Sequence, residues 1–113
     1  MELTTSRAVE LFLASLRTRS APANTIKAYR LDLQQFLKQS PTALSEVTTD
    51  VIRTFLDSHE RHKPATRRRH AATLQAFYAW LMQQGLAQSN PMEQLEPIGQ
   101  IERLPRPLDR YSV

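Results

Sequence analysis

Between Arg61 and His70 the chain places five arginines or lysines and no acid, and after Glu60 no Asp or Glu returns until Glu93. Arginine carries a planar fork of donors that fits phosphate oxygens and the O6/N7 edge of guanine. Lys63, Arg67, Arg68 and Arg69 are therefore the residues best equipped to act, and their chemistry is nucleic-acid recognition,. A solvated basic helix end is the plainer alternative. Such ends ordinarily interleave Glu with Lys or Arg, because mixed pairs are soluble and mildly stabilising. This one does not.

Bond-breaking chemistry has little to build on. Cysteine is absent, so there is no disulfide framework, thiol nucleophile or thiolate metal site,. His59-Glu60-Arg61-His62 resembles a zinc helix only superficially, since that motif needs histidines at i and i+4 and a third ligand,. Asp32 has no second carboxylate at helical spacing, which favours a hydrogen-bonding role at the edge of the core. Tyr29 and Tyr78 fall on apolar faces, as core tyrosines do, and Trp80 flanks the core of its helix. His70 reads as packed at the core edge or helping at a phosphate. No glycine-rich phosphate loop is present, so no nucleotide, metal or other cofactor is expected.

The basic cluster must be held by helices. The chain has 113 residues, 41% hydrophobic, with only two glycines and no useful strand-like alternation. That predicts one all-α domain with a single modest core. Net charge is +4, so the location of the charge matters more than its total. No apolar run approaches the length of a membrane span and no signal-peptide core opens the chain, which makes a cytoplasmic protein the default expectation.

The apolar period predicts four main helices and a short fifth. Thr4 to Ser6 offer caps for a first helix to about Arg19, with Val9, Phe12, Leu13 and Leu16 inward,. Pro22 suits the first position of a second helix reaching Lys38. Ile26, Tyr29, Leu33, Phe36 and Leu37 make its core face, while Asn24, Lys27, Leu31, Gln34 and Lys38 point away and Arg30 lies on a flank. Leu44 and Val47 tuck back from the next connection. Thr48 caps a third helix to about Glu60. The fourth helix starts at Thr66 or just before it and stops at Gly85, with His70, Leu74, Phe77, Tyr78 and Leu81 inward,. Its outer face carries Arg69, Ala72, Thr73, Ala76 and Ala79, small enough for a close approach to a surface. Asn90 with Glu93 marks a capped start for the short fifth helix, ended by Pro97. Residues 1–96 thus read as the helical domain and 97–113 as a proline-rich linker.

Two patterns then stand in order: Thr25-x-x-x-Tyr29-x-x-Asp32-Leu33-x-x-Phe36, and Thr66-x-x-Arg69-x-x-x-x-Leu74-x-x-Phe77-Tyr78-x-Trp80-Leu81 with Gly85, Asn90-Pro91 and Leu104-Pro105. Together they resemble the N-terminal core-binding, SAM-like domain of tyrosine recombinases of the phage-integrase and Xer type, over nearly the whole chain. The resemblance implies a module that clamps one side of duplex DNA through its second and fourth helices during integration or recombination. It implies Thr25 and Thr66 near phosphates and Arg69 at the groove. Face and charge add Lys27, Arg30, Lys63, Arg67, Arg68 and Thr73. The implied partners are double-stranded DNA, a C-terminal catalytic domain and other recombinase protomers, with no membrane and no small-molecule substrate. The family's catalytic Arg, Lys, His and nucleophilic Tyr would follow the proline linker, so the chain reads as a non-catalytic recombinase fragment. A free-standing helical DNA-binding regulator and a helical interaction module for an acidic protein are the alternatives.

Overall fold

In the computed structural model, which describes residues 2–58 and 64–95, Thr4 opens the first helix by accepting from the Arg7 amide at 3.0 Å. The helix, α1, spans Thr5–Thr18 and buries Ala8, Val9, Phe12, Leu13 and Leu16. It ends in a Schellman turn: Ala21 N donates to Leu16 O and Ser20 N to Arg17 O, each at 3.0 Å,. Ser20 takes the left-handed position at φ 60°, where glycine is the usual occupant,. The helix α2 follows as Ala23–Leu37. Pro22 stands at its N-cap rather than at its first position, and no side chain caps that end.

A 3-10 turn at Leu44–Glu46 carries Leu44 back onto the core, and Val47 is buried beside it. The N-terminal strand-like segment is tied to this connection, with Thr5 N donating to Thr42 O (2.8 Å) and Leu44 N to Leu3 O (3.0 Å). The helix α3, Thr49–Asp57, is capped by the Thr48 hydroxyl, which accepts from Val51 N. It is shorter than its period predicts. The helix α4 spans Pro64–Gln83, its described part beginning just before Thr66 as expected. Gly85, at φ +74°, closes it in a second Schellman turn, Leu86 N donating to Leu81 O at 2.9 Å. The expected fifth helix is a single 3-10 turn, Pro91–Gln94, whose Met92 amide donates to Asn90 Oδ1. Thr49 Oγ1 donates to Pro91 O at 2.7 Å and fastens that turn to α3.

One core joins these pieces, and among the described residues there is no strand beyond the isolated Thr4–Ala43 bridge. Phe12 sits at its centre, its ring centroid 5.6 Å from Phe77, 5.7 Å from Tyr29 and 5.8 Å from Trp80. Phe36 and Phe55 meet edge to face at 5.3 Å,. Tyr29 is half-buried rather than enclosed, whereas Tyr78 is 1% exposed. The all-α bundle expected from the sequence is the one observed. His59, Glu60, Arg61 and His62, the linker 97–113 and Tyr111 lie outside the described residues.

Candidate nucleic-acid interface

The helices α2 and α4 pack antiparallel. The middle of α2, at Asp32, meets the first half of α4, at Arg69 and Thr73. Thr25 and Tyr29, nearer the start of α2, line a groove of about 420 Å³ with Ala76, Ala79, Trp80 and Gln83 from the second half of α4.

Asp32 is the pin between them, and it is 5% exposed. Its Oδ1 accepts from Arg69 Nη2 at 2.8 Å and its Oδ2 from Arg69 Nε at 3.3 Å, a two-pronged arrangement,. Thr73 Oγ1 donates to Oδ2 at 2.9 Å. His70 Nε2 lies 3.4 Å from Oδ1, and the His70 ring packs 5.6 Å from that of Phe55. A buried carboxylate needs such a set of donors, because an unmatched charge in the core is costly. The hydrogen bond to Asp32, and then its charge, raise the Arg69 pKa, so the guanidinium stays ionised. Its side chain remains 59% exposed.

Arg67 turns the other way. Its Nη2 reaches Asp57 Oδ1 at the end of α3 at 3.3 Å, and its side chain is mostly covered. Arg68 is exposed, and among the described residues no carboxylate pairs with it. The same holds for Lys27, which is exposed, and Arg30, which is half-buried on α2. Thr25 is exposed and Thr66 half-buried. They stand near opposite ends of the helix pair: Thr25 shares a groove with Ala79, and thirteen residues of helix from Ala79 to Thr66 span about 20 Å,. Lys63 lies outside the described residues.

Thr73 requires a correction. Sequence phase put it on the outer face of α4, but it is 2% exposed and committed to Asp32. The reason is that α4 is covered on two sides. Leu74, Phe77 and Leu81 face the bundle centre, while Arg69, Thr73, Ala76 and Trp80, at i, i+4, i+7 and i+11, form a second seam beside α2. Ala72 and Ala79 remain exposed, as expected of a small outer face. Sequence reasoning missed Arg19, which caps α1 and lines the groove beside Thr25. The cue was available: Arg17 and Arg19 flank a helix end that has no acid near it.

No metal-binding group of three His, Cys, Asp or Glu side chains occurs among the described residues, and none of the described helices is long and apolar enough to cross a membrane.

Comparison with known proteins gives a consistent set of likenesses. Residues 9–85 match the family described as phage integrase, N-terminal SAM-like domain. The chain is 36% identical over 112 residues to a tyrosine recombinase XerC of Roseiflexus castenholzii, covering 93% of this chain and 36% of that protein. It is 33% identical over 111 residues to a tyrosine recombinase XerD of Proteus mirabilis, again covering 93% and 36%. The chain thus spans about a third of the length of these curated relatives. Its fold is similar to that of lambda integrase in a DNA-bound crystal structure, with a TM-score of 0.75 at 18% identity, covering 85% of this chain and 34% of that one. It is similar also to the N-terminal domain of a phage integrase/site-specific recombinase from Haloarcula marismortui, with a TM-score of 0.74 at 21% identity, covering 86% and 98%.

Proposed function

The chain belongs to the phage integrase N-terminal, SAM-like domain family, and from that membership we propose that it is the DNA-clamping module of a site-specific tyrosine recombinase. The observation that carries this reading is the surface made by α2 and the start of α4. Lys27, Arg30 and Arg68 stand there without carboxylate partners among the described residues, and the acid in that region, Asp32, is buried and matched. A surface of that kind attracts a polyanion and offers no repulsion to it.

The roles divide by position. The first amides of α2 have no side-chain cap, and Thr25 and Arg19 stand beside them, an arrangement suited to a backbone phosphate,. Arg68 suits a second phosphate at the start of α4. Arg69, oriented by Asp32, keeps free donors toward solvent for a groove edge. Lys63 belongs with this set by sequence. Arg67, bound to Asp57, contributes mainly to the α3–α4 junction. Thr73, enclosed against Asp32, takes no part in the contact.

The module acts by positioning. Phosphodiester transfer through a tyrosine needs a hydroxyl free to reach a phosphate held by preorganised donors. The Tyr78 hydroxyl is buried and the Tyr29 ring lies against Phe12. The bond-breaking step falls to the catalytic part of the recombinase, which closes on the other side of the duplex, with further protomers alongside, in the cell's DNA-containing compartment.

Fluorescence anisotropy with a labelled duplex across a salt series tests the reading. Neutralising four to five phosphates gives a slope of log K against log salt of about −4. A flat response, or equal binding to an acidic polypeptide, overturns it in favour of an interaction module.

A further inference from the structure

The helix α2 shows solvent a face that neither the core nor the Asp32 pair uses. Asn24, Ala28, Leu31 and Gln35 recur on it at i, i+4, i+7 and i+11, and all four are exposed,. Leu31 keeps 50% of its surface in water, more than any other large apolar side chain among the described residues. A leucine in mid-helix with half its surface in water adds little to the fold,.

Its surroundings define what it could meet. Asn24 and Leu31 each precede by one residue, about 100° of helix, a side chain that sits against α4: Thr25 in the shared groove and Asp32 in the ion pair,. The face therefore borders α4, where the exposed Ala72 and Ala79 continue it with little bulk. Charge lies at the margins. Lys27 and Lys38, at i−4 and i+7 from Leu31, are exposed next to it on its flank farther from α4, Arg68 is exposed at the start of α4, and none of the three pairs with a carboxylate among the described residues,.

Cations at two rims with an uncharged strip between them match a major groove, where phosphates form the rims and base edges the floor. The chemistry of the strip selects among base pairs. Guanine is read best by arginine or lysine, and the strip itself carries neither: Arg68 stands at its margin, and Arg69 beside it gives two of its donors to Asp32 and keeps only the rest for a groove edge. An A·T pair instead presents the adenine N6 donor and N7 acceptor, which suit a carboxamide, and the thymine 5-methyl group, which suits an apolar side chain.

We propose that Asn24, Leu31 and Gln35 form an A·T-reading strip on α2, with Leu31 against a thymine methyl and the carboxamides on adenine edges. The proposal rests on the duplex-binding reading given above. It adds the class of base pair that the module prefers.

The test uses the whole 113-residue chain. Random duplexes are selected with wild type and with Leu31→Ala, and each thymine of the enriched sequence is then replaced by deoxyuridine, which lacks only the methyl. Wild type is expected to enrich A·T pairs and to lose roughly 3- to 10-fold in affinity at one uracil position. Leu31→Ala is expected to bind the thymine and uracil duplexes equally and to show an unchanged melting temperature. Gln35→Ala should relax preference at a neighbouring A·T pair. Wild-type indifference to every uracil, with duplex binding intact, overturns the strip and leaves the clamp standing. Unchanged DNA preference in Leu31→Ala with loss of self-association makes Leu31 a protein contact and overturns it too. Absence of duplex binding overturns the underlying reading as well.

Discussion

Arg69 on α4 grips Asp32 on α2 through two donors, at 2.8 and 3.3 Å, with the acid sealed from solvent and the base still partly open to it. The pair joins the two helices proposed to meet DNA, so it sets their relative register as well as the direction of the guanidinium. Asp32→Ala strands Arg69 and the buried Thr73 hydroxyl together. The expected cost is about 2 kcal/mol of unfolding free energy, below the figure for a fully buried pair because Arg69 is half in water. A double-mutant cycle of Asp32→Asn with Arg69→Met, followed by urea denaturation, should give a coupling energy of about 1–2 kcal/mol. Additive losses would mean that the two side chains meet without holding each other.

Arg67 and Arg68 are adjacent in sequence and opposite in expected effect. Arg68 has no carboxylate partner among the described residues, so Arg68→Ala should weaken binding to every duplex alike and reduce the magnitude of the salt slope by about 1,. Arg67 is bound to Asp57, so Arg67→Ala should leave the slope nearly unchanged and lower stability by about 1 kcal/mol,. Anisotropy and thermal melting on the same two variants check both statements. An interchange of the two phenotypes would mean that the start of α4 faces DNA by its other side.

The helices were legible because three of them bury one apolar stripe each, and the caps of α1 and α3, Thr4 and Thr48, and of the 3-10 turn, Asn90, are read directly from residue type. Thr73 was not legible, because a period analysis finds one buried face and α4 has two. The second seam, Arg69-Thr73-Ala76-Trp80, is polar and small, so it reads as surface until α2 is laid beside it. Asp32 was placed at the core edge by its phase, yet its partner stands 37 residues away and no local spacing links them. The attachment of residues 3–5 to 42–44 is backbone pairing and leaves no side-chain pattern to find.

The two helix ends make a matched comparison. Both close with a Schellman turn, one through Gly85 and the other through Ser20 in a left-handed conformation. A serine there carries a Cβ penalty that glycine does not, so Ser20→Gly should raise stability by about 0.5–1 kcal/mol. Gly85→Ala should lower it by about 1 kcal/mol, through backbone strain alone, since an added Cβ would meet nothing within 4 Å,. Chemical denaturation of the two variants gives the sign of each change. A destabilised Ser20→Gly would show that the serine side chain contributes something its backbone position does not explain.

Tyr78 is enclosed at 1% exposure, and its hydroxyl has no hydrogen-bond partner among the described residues. A buried hydroxyl without a partner has lost its water and gained nothing in exchange. Tyr78→Phe keeps the ring, including its edge contact with Phe77 at 5.2 Å, and removes only the unmatched oxygen. The expected result is a protein as stable as wild type or more stable by up to about 1 kcal/mol. Burial also pushes the Tyr78 pKa above its ordinary value of 10.0. A phenol whose folded pKa lies above its unfolded one contributes its full share of stability below pH 10 and loses it as pH rises toward the folded value. Wild type should therefore destabilise progressively above pH 10, and Tyr78→Phe should lose less over the same interval. Urea denaturation at pH 8 and at pH 11 measures the difference. Equal alkaline losses in the two proteins would mean that the hydroxyl ionises as freely folded as unfolded, and that the site around it is open to water.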